Sequence, residues 1–415
     1  MKYYIKTFGC QMNESDSERI AGFLETHRIK PTKDINQANL VIFNTCGVRQ
    51  SAENRVYGLV HNLRKSNPKI TIILTGCLAD RKDVQRRLED KVDLFCNINN
   101  FPEKLKPLLV RHPERSSDSY RNVVEGSTKK YNQKTQKADS SATFPRQGRG
   151  HSAQNDGSYL DIIPKYINNN KVYVPIMTGC NNFCSYCVVP YARGREISRP
   201  VEDIIKEIKS LTKNDCKEIT LLGQNVNSYN YEFKNSKLGN LKLIKNLKLK
   251  IKNSVTVDFP KLLDYLAKSN PQIRFKFLTS HPKDFSNELI KVIAKNKNIS
   301  REIHLPVQAG SDKILKAMNR PYTQKYYLNL IKKIKKIIPE AEFTTDIIVG
   351  FPGEAKKDFS ESIKVFKTVS YNEAYINKYS PRPDTAAWKM KETVDLPEKK
   401  RREKVLRELI RYGRK

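Results

Sequence analysis

The sequence lacks any apolar run long enough to span a bilayer, since its apolar stretches are short segments such as TIIL and IVG. The N-terminus MKYYIKTFGC also lacks the basic region and apolar core that mark a signal peptide. Acidic side chains are few, with 44 Asp and Glu against 77 Lys and Arg. We therefore expect a cytoplasmic protein that does not enter membranes. The basic surplus favours a polyanionic partner such as nucleic acid, but a basic surface that is simply solvated fits the composition equally well.

Histidine is scarce as well, with six residues in 415, whereas there are eight cysteines. In a cytosolic chain of this length, cysteines indicate metal ligation or redox chemistry rather than a disulfide framework. Three of them, Cys180, Cys184 and Cys187, belong to the stretch GCNNFCSYC and span only eight residues. No fourth ligand stands near them, because the nearest histidines are His151 and His281.

Short β-type runs alternate with helical ones over residues 1–110, which predicts an α/β domain with a parallel sheet. The runs are KYYIKTF (2–8), NLVIFN (39–44), TIILTG (71–76) and VDLFCNI (92–98). A cysteine follows each of the first three runs by one or two residues, namely Cys10, Cys46 and Cys77. Because the carboxyl ends of parallel strands open onto one edge, these three thiols are expected to converge. Cys96 lies inside its run and is predicted to be buried.

Polar composition marks two further segments, a linker over 111–168 and a basic insertion over 230–257. Between and after them, residues 169–395 carry six strand candidates separated by helical patterns. The candidates are 172–177, 218–223, 273–279, 302–307, 343–350 and 374–380. Six βα repeats are too few for a closed eight-fold barrel, so they predict an open partial barrel. Residues 396–415 form a basic amphipathic helix in this interpretation.

The cysteine loop directly follows the first barrel strand, where catalytic loops lie in such folds. Structural zinc needs four ligands, and catalytic zinc usually includes histidine or carboxylate, so CxxxCxxC fits neither pattern. An iron-sulfur cluster held by three thiolates instead leaves one iron free for an exogenous ligand. Cys216, at the opposite end of the barrel, is predicted to have no role in the site.

This spacing resembles that of radical S-adenosylmethionine enzymes, and motifs along nearly the whole chain resemble the methylthiotransferase family, in particular its tRNA-modifying MiaB branch. The motifs are TFGCQMNESDSE, NTCGVRQSAENRVYG, TGCLADR, GCNNFCSYCVVPYARGREISRP, LLGQNVNSY, SHPKD, HLPVQAGSDKILKAMNR, TDIIVGFPGE and YSPRPDTAA. The resemblance implies an N-terminal methylthiotransferase domain followed by a radical-SAM partial (β/α)6 barrel. The family continues into a small RNA-binding TRAM β-barrel, which is expected to be absent from this chain.

The resemblance also implies two [4Fe-4S] clusters, one on Cys180, Cys184 and Cys187 and a second on Cys10, Cys46 and Cys77. In the family, the barrel cluster reduces S-adenosylmethionine to give a 5′-deoxyadenosyl radical, which removes the hydrogen from carbon 2 of isopentenyl-adenosine beside the tRNA anticodon. A methylated sulfur on the other cluster is then delivered to that carbon. The cofactor carries this step, so no catalytic side chain is predicted beyond the cluster ligands.

Several polar and glycine positions are implied contacts of S-adenosylmethionine. They are Gln224, Asn225, Gln308, Ser311, Gly350 and Gly353, with Pro352 in the same turn as the glycines. Tyr191, Arg193 and Arg195 follow the cluster loop and are expected to shape the site or hold a substrate phosphate. The chain departs from the family by reading Ala309 where a serine is usual.

The resemblance implies a monomer whose partners are tRNA carrying isopentenyl-adenosine, a small electron donor such as flavodoxin or ferredoxin, and a sulfur-supplying or cluster-carrier protein. Two alternatives stay open at this point. One is the same chemistry on an aspartate of a ribosomal protein or on threonylcarbamoyl-adenosine. The other is a non-catalytic, zinc-stabilised RNA-binding protein.

Overall fold

The structure, a computed structural model, describes residues 1–48, 50–109, 159–233 and 255–413. The chain divides into two units, Met1–Lys165 and Tyr166–Lys415. Most of the predicted linker 111–168 and the interior of the predicted basic insertion 230–257 lie outside the described residues. No helix of the described segments is both long and apolar enough to cross a membrane.

The first unit is built on a parallel sheet in the order β2-β1-β3-β4-β5. Its strands are β1 (Lys2–Thr7), β2 (Lys30–Pro31), β3 (Leu40–Thr45), β4 (Thr71–Gly76) and β5 (Leu94–Phe95). Its helices are α1 (Gln11–Thr26), α2 (Gln50–Ser66), α3 (Lys82–Leu88) and α4 (Phe101–Leu109). The predicted parallel sheet is confirmed, and β2 is an additional two-residue edge strand that pairs with Lys2 and Tyr3 of β1.

Every residue of β3 is buried because helices cover both faces of the sheet. Val41 and Phe43 belong to the core that contains the apolar side chains of α2. Leu40 and Ile42 belong to the core that contains the apolar side chains of α1. Burying each such side chain contributes about 1.5–3 kcal/mol, which explains the continuous apolar run of a central parallel strand.

The end of the predicted linker belongs to the first unit. Tyr159 and Leu160 are only 2% and 3% exposed and join the core on the α1 side of the sheet. The Lys165 backbone N–H donates to the Glu18 carbonyl over 2.8 Å. Two large apolar side chains in an otherwise polar stretch anchor this segment, although composition alone assigns it to the linker.

The second unit contains six parallel strands that match all six sequence candidates. They are β6 (Lys171–Pro175), β9 (Glu218–Leu222), β12 (Arg274–Leu278), β13 (Glu302–His304), β14 (Glu342–Val349) and β15 (Glu373–Lys378). They form the triplets β6-β9-β12 and β13-β14-β15, joined by one parallel bridge between Phe275 and Ile299. Among the described strands β6 and β15 do not pair, so the predicted open barrel is confirmed.

The helices of the second unit, apart from the short one at Val189–Arg193, contribute apolar side chains to its core. In chain order the helices are α5 (Val189–Arg193), α6 (Val201–Lys213), α7 (Phe259–Ser269), α8 (Asn287–Lys295), α9 (Asp312–Ala317), α10 (Gln324–Ile337), α11 (Lys356–Thr368) and α12 (Leu396–Gly413). Along β14 the buried residues Phe343, Ile347 and Val349 join this core, and the residues between them include Thr344 and Asp346, which stay partly exposed. This alternation leaves a polar inner face.

The predicted basic insertion begins and ends in two strands that pair antiparallel. Its strands are β10 (Asn230–Phe233) and β11 (Val255–Asp258). The pairing joins Asn230 to Asp258 and Phe233 to Val255. The described ends of the insertion are therefore fixed side by side.

The C-terminal helix α12 packs on the barrel through a buried ion pair. The Arg402 guanidinium lies 2.7 Å from the Glu354 carboxylate, and the two side chains are 3% and 1% exposed. Leu406 is fully buried on the same helix. Glu354 belongs to the turn after β14, so α12 holds the loop that follows this strand.

Candidate functional site

The first unit places Cys10, Cys46 and Cys77 directly after β1, β3 and β4, which are neighbours in the sheet. Gly9 has φ +129°, and a Cβ there would lie 2.7 Å from the Cys46 Cβ, so only glycine permits this approach. The Cys77 N–H donates to the Thr45 carbonyl over 2.9 Å. Three cysteine-bearing turns are thus in contact at one edge of the sheet, as the strand ends predict.

Asn13 joins two of these turns, and sequence reasoning assigned it no role. Its buried Nδ2 donates to the Phe8 carbonyl over 3.0 Å and to the Thr45 carbonyl over 2.9 Å. The Cys10 thiol lies 3.5 Å from its Oδ1. Its position three residues after Cys10, on the first turn of α1, was the signal available in the sequence.

A buried charged cluster fixes the helix that follows Cys46 to the turn that follows Cys77. Arg81 contacts Glu53 over 2.8 Å and Asp83 over 2.5 Å. The Tyr57 hydroxyl donates to the same Glu53 carboxylate over 2.8 Å. Hydrogen-bonded networks of this kind stay rigid when every member has a partner. The network therefore stabilises the turns that carry Cys46 and Cys77.

The second unit places Cys180, Cys184 and Cys187 in a loop after β6. The short antiparallel strands β7 (Met177–Thr178) and β8 (Ile197–Ser198) close the base of this loop. The Cys180 N–H donates to the Gly194 carbonyl over 3.1 Å, and the Cys187 N–H donates to the Cys184 carbonyl over 2.9 Å. Burial raises the pKa of the Cys180 thiol, so binding a metal there requires the release of its proton.

Arg320 lies beside this loop, and sequence reasoning missed it. Its Nη1 is 3.5 Å from the Cys184 Sγ, while its Nε donates to the Tyr322 hydroxyl over 2.9 Å and its Nη2 to the Pro306 carbonyl over 3.1 Å. The side chain is buried, so its charge acts in a low-dielectric setting. The residue lies 136 positions after Cys184, which no local pattern could connect.

The donor sets are suited to clusters in their chemistry. Among the residues that the structure describes, no three His, Cys, Asp or Glu side chains are drawn together around a single metal ion. A four-iron cluster binds each thiolate at a different iron, so its ligands stand further apart than those of zinc. Each site supplies three thiols, which leaves one iron of such a cluster open to another ligand.

Buried polar atoms without partners gather after β9 and β12. Within the described residues, no hydrogen bond reaches Gln224 Oε1, Asn225 Oδ1, Ser280 Oγ or His281 Nε2. Burial lowers the pKa of His281 to about 2, so its imidazole is neutral. Leaving such a group unpaired costs about 1–3 kcal/mol, which a polar ligand would recover. This group fits the charged methionyl part of S-adenosylmethionine, and two of its members, Ser280 and His281, had no predicted role.

The other predicted S-adenosylmethionine contacts make bonds within the protein. The Ser311 hydroxyl donates to Asp358 over 2.7 Å, and the Gly353 N–H donates to Thr393 over 2.8 Å. Gly350 has φ +73°, and a Cβ there would lie 2.4 Å from the Lys399 Cγ. Gln308, at φ +64°, is bonded through its backbone to β14. Their roles toward the cofactor stay predictions.

The residues after the cysteine loop differ in exposure. Arg193 is buried, whereas Tyr191 is 47% exposed and Arg195 is exposed. Cys96 is buried at 3% exposure, as predicted, and Cys216 is buried at 2% exposure just before β9. That Cys216 has no role in the site stays a prediction. Burial raises the pKa of the Cys96 thiol to about 12. Both cysteines are therefore available as controls for the cluster ligands.

An open six-stranded barrel with CxxxCxxC after its first strand defines a radical S-adenosylmethionine enzyme. The profile of the Radical SAM superfamily matches residues 174–366, and that of the Uncharacterized protein family UPF0004 matches residues 2–97. S-adenosylmethionine and a [4Fe-4S] cluster are the cofactors of this superfamily.

Two relatives match almost the whole chain, and both are named tRNA-2-methylthio-N(6)-dimethylallyladenosine synthase. The protein of Carboxydothermus hydrogenoformans is 40% identical over 98% of this chain and 82% of its own length. That of Bacillus subtilis is 37% identical over 99% of this chain and 72% of its own length. The chain belongs to this family of radical S-adenosylmethionine methylthiotransferases. The alternative of a non-catalytic zinc protein is set aside, because the family consists of enzymes.

Solved structures resemble the fold at low identity. The radical S-adenosylmethionine methyltransferase TsrM of Kitasatospora setae has a TM-score of 0.56 at 12% identity and covers 93% of this chain and 74% of that chain. The cobalamin-dependent S-adenosylmethionine radical enzyme OxsB has a TM-score of 0.52 at 11% identity and covers 99% of this chain and 56% of that chain. At these identities, the likeness concerns the fold alone.

Proposed function

We propose that this enzyme adds a methylthio group to carbon 2 of isopentenyl-adenosine next to the anticodon of tRNA. The observation that carries the proposal is 37–40% identity along nearly the whole chain to relatives named for this product, in which the isopentenyl group is called dimethylallyl. A net charge of +33 supports a tRNA substrate, because neutralising phosphates favours binding.

Two [4Fe-4S] clusters are part of the proposal. One is held by Cys180, Cys184 and Cys187, and the other by the thiols of Cys10, Cys46 and Cys77. The cysteines of the first unit lie on adjoining turns after three neighbouring parallel strands, whereas those of the second unit lie in one loop after β6. The two sets belong to different units of the chain. Separate sites allow one cluster to serve radical generation and the other to serve sulfur delivery.

Cys180, Cys184 and Cys187 would hold the barrel cluster, which together with S-adenosylmethionine would supply the one-electron chemistry needed to break an unactivated C–H bond, a step that side chains alone cannot perform. The protein has to position and enclose the reactants. Gln224, Asn225, Ser280 and His281 present buried polar atoms to the methionyl group. Arg320 donates to the Cys184 sulfur and so stabilises negative charge on that ligand.

The reaction needs partners that the chain itself does not contain. We expect an electron donor such as flavodoxin or ferredoxin, and a protein that restores the consumed sulfur or carries a cluster. We also expect the enzyme to act as a monomer in the cytoplasm. Exposed basic residues are suited to acidic donor proteins as well as to RNA.

The proposal is tested with anaerobically reconstituted protein and an anticodon stem-loop RNA that carries isopentenyl-adenosine. Mass spectrometry of the digested nucleosides is expected to detect the 2-methylthio product, and iron and sulfide analysis is expected to give two four-iron clusters. Parallel reactions contain RNA with threonylcarbamoyl-adenosine, or the ribosomal protein that is modified at an aspartate. Product in one of these reactions, with none on the isopentenyl RNA, would refute the proposed substrate.

A further inference from the structure

An exposed aromatic and cationic group borders the barrel cysteine loop. The Arg195 guanidinium carbon lies 4.3 Å from the centroid of the Phe183 ring. The Tyr191 ring meets the same Phe183 ring edge-on, with 6.3 Å between centroids and 89° between planes. We call Phe183, Tyr191 and Arg195 the stacking group.

The loop around the stacking group is held by several hydrogen bonds. Asn319 Nδ2 donates to the carbonyls of Asn182 and Phe183 over 3.3 and 3.0 Å. The Asn181 N–H donates to the Glu196 carboxylate over 3.2 Å, and the Glu196 N–H donates to the Asn181 Oδ1 over 3.3 Å. These bonds hold the backbone next to Phe183 and Arg195 in place, and the contact between the guanidinium and the ring relates the two side chains to each other.

Part of the stacking group is exposed to solvent and available to a ligand. Tyr191 is 47% exposed, and Ile197, two residues beyond Arg195, is 63% exposed. Among the described residues, Arg195 makes no ion pair, whereas the neighbouring Arg199 lies 2.5 Å from Glu207. One face of the Arg195 guanidinium is covered by Phe183, and its charge is not neutralised. A planar ligand that carries negative charge nearby would match this surface.

Single-stranded RNA has this chemistry. Its unstacked bases are recognised by stacking on aromatic rings and on arginine guanidinium planes, and its phosphates add negative charge. Phe183 immediately precedes Cys184, so the Cα atoms of these two residues are about 3.8 Å apart. The stacking group therefore lies directly beside the cluster loop. A base held here would lie beside the place where the radical forms.

We propose that the stacking group binds an unpaired base of the RNA substrate that flanks the modified adenosine. This inference rests on the proposed function and assigns Arg195 to base stacking, instead of the phosphate contact that its position in the sequence suggested. Stacking is tolerant of base identity, because every base has a π face. The group thus orients the strand and does not read its sequence.

The test uses the full chain with its clusters and an isopentenyl-adenosine stem-loop RNA that carries 2-aminopurine beside the modified nucleotide. Binding is expected to quench the fluorescence of 2-aminopurine as it stacks. Arg195→Ala is expected to weaken binding about tenfold and to remove most of the quenching, because one stacked base contributes on the order of a factor of ten. Tyr191→Ala is expected to weaken binding in the same direction.

Two controls separate stacking from charge. Arg195→Lys keeps the charge but loses the planar face, so it should retain part of the affinity and lose the quenching. Arg274→Ala removes an exposed arginine at the start of β12, the opposite end of the barrel strands, and is expected to change binding less than twofold. Equal losses for Arg195→Ala and Arg274→Ala, or quenching that survives Arg195→Ala, would overturn the inference.

Cluster content and RNA-free formation of 5′-deoxyadenosine are measured for each variant. Both are expected to match those of the unmodified enzyme. If they fall together with RNA binding, Arg195 braces the cysteine loop and the inference is wrong. Failure of the proposed function looks different, since the unmodified enzyme would then bind the RNA without forming a methylthio product.

Discussion

The guanidinium of Arg320 donates a hydrogen bond to the Sγ of Cys184 over 3.5 Å. The arginine is buried and is also bonded to Tyr322 and to the Pro306 carbonyl, so its orientation is fixed. A positive charge and a hydrogen bond at a cluster sulfur favour the reduced, more negative cluster. Where Cys184 ligates the proposed barrel cluster, we expect Arg320 to tune its reduction potential, a role that the cysteine motif does not reveal.

Replacing Arg320 is predicted to lower the reduction potential of the barrel cluster. Arg320→Gln removes a charged hydrogen bond worth about 1.5–3 kcal/mol, which corresponds to a shift on the order of 50 mV or more for one electron. A redox titration followed by electron paramagnetic resonance, in a Cys10→Ala background, measures this cluster alone. Arg320→Lys should shift the potential less, and the surface variant Arg274→Gln should leave it unchanged. An unshifted potential in Arg320→Gln would exclude the tuning role.

Substitutions in the two cysteine sets are predicted to affect the activity differently. Cys10→Ala should abolish methylthio product but preserve the formation of 5′-deoxyadenosine, whereas Cys184→Ala should abolish both. The reason is that the thiols belong to separate sites in separate units. Cys96→Ala and Cys216→Ala are the matched controls, and both should leave the iron content unchanged. Loss of both activities in Cys10→Ala would contradict the division of roles.

Asn13→Ala is predicted to loosen the N-terminal cysteine turns. It leaves the buried carbonyls of Phe8 and Thr45 without this donor, at a cost of about 2 kcal/mol. Iron bound by the first unit should fall, while iron bound by the barrel should remain. Measurement in a Cys184→Ala background isolates the first site, and Asn36→Ala, at an exposed position, is the control. Equal iron content in the two asparagine variants would refute the role of Asn13.

Helix α12 is predicted to lose stability in acid. Hydrogen bonds from Arg401 and Arg402 lower the pKa of Glu398 to about 2, from an ordinary value of 4.5. Because the folded pKa is the lower one, the contribution is present above pH 4.5 and is lost as the pH falls towards 2. The thermal unfolding midpoint should therefore drop less steeply between pH 5 and 3 in Glu398→Gln. Glu408→Gln, whose nearest lysine nitrogen is 3.9 Å away, should keep the original slope.

Strand ends and cysteine spacing allowed much of the architecture to be predicted. The six barrel strands and the edge that holds Cys10, Cys46 and Cys77 follow from local patterns and from the geometry of parallel sheets. Asn13 was within reach of the same reasoning, because it lies one helical turn from Cys10. The short strand β2 was missed, since two residues carry no periodicity.

Contacts between residues distant in sequence could not be predicted in this way. Arg320 reaches Cys184 across 136 positions, and Ser311 bonds Asp358 across 47. The position of Ser311 on a loop near the predicted site suggested a ligand contact. In the folded chain, however, its hydroxyl already donates a hydrogen bond to Asp358. Pattern alone does not show which buried polar atoms remain without a hydrogen-bond partner, and those atoms are the basis of the proposed S-adenosylmethionine contacts.

The pairing of β10 with β11 leads us to expect that the predicted basic insertion can be exchanged without disturbing the barrel. Its ends at Phe233 and Val255 are paired across the hairpin, at the spacing of about 4.5–5.5 Å between opposed residues of antiparallel strands. The entropy of closing a loop rises only slowly with its length, so the chain between these residues can lengthen, shorten or change composition at little cost. The barrel is thereby insulated from sequence drift in the insertion, and a two-residue turn should serve in its place.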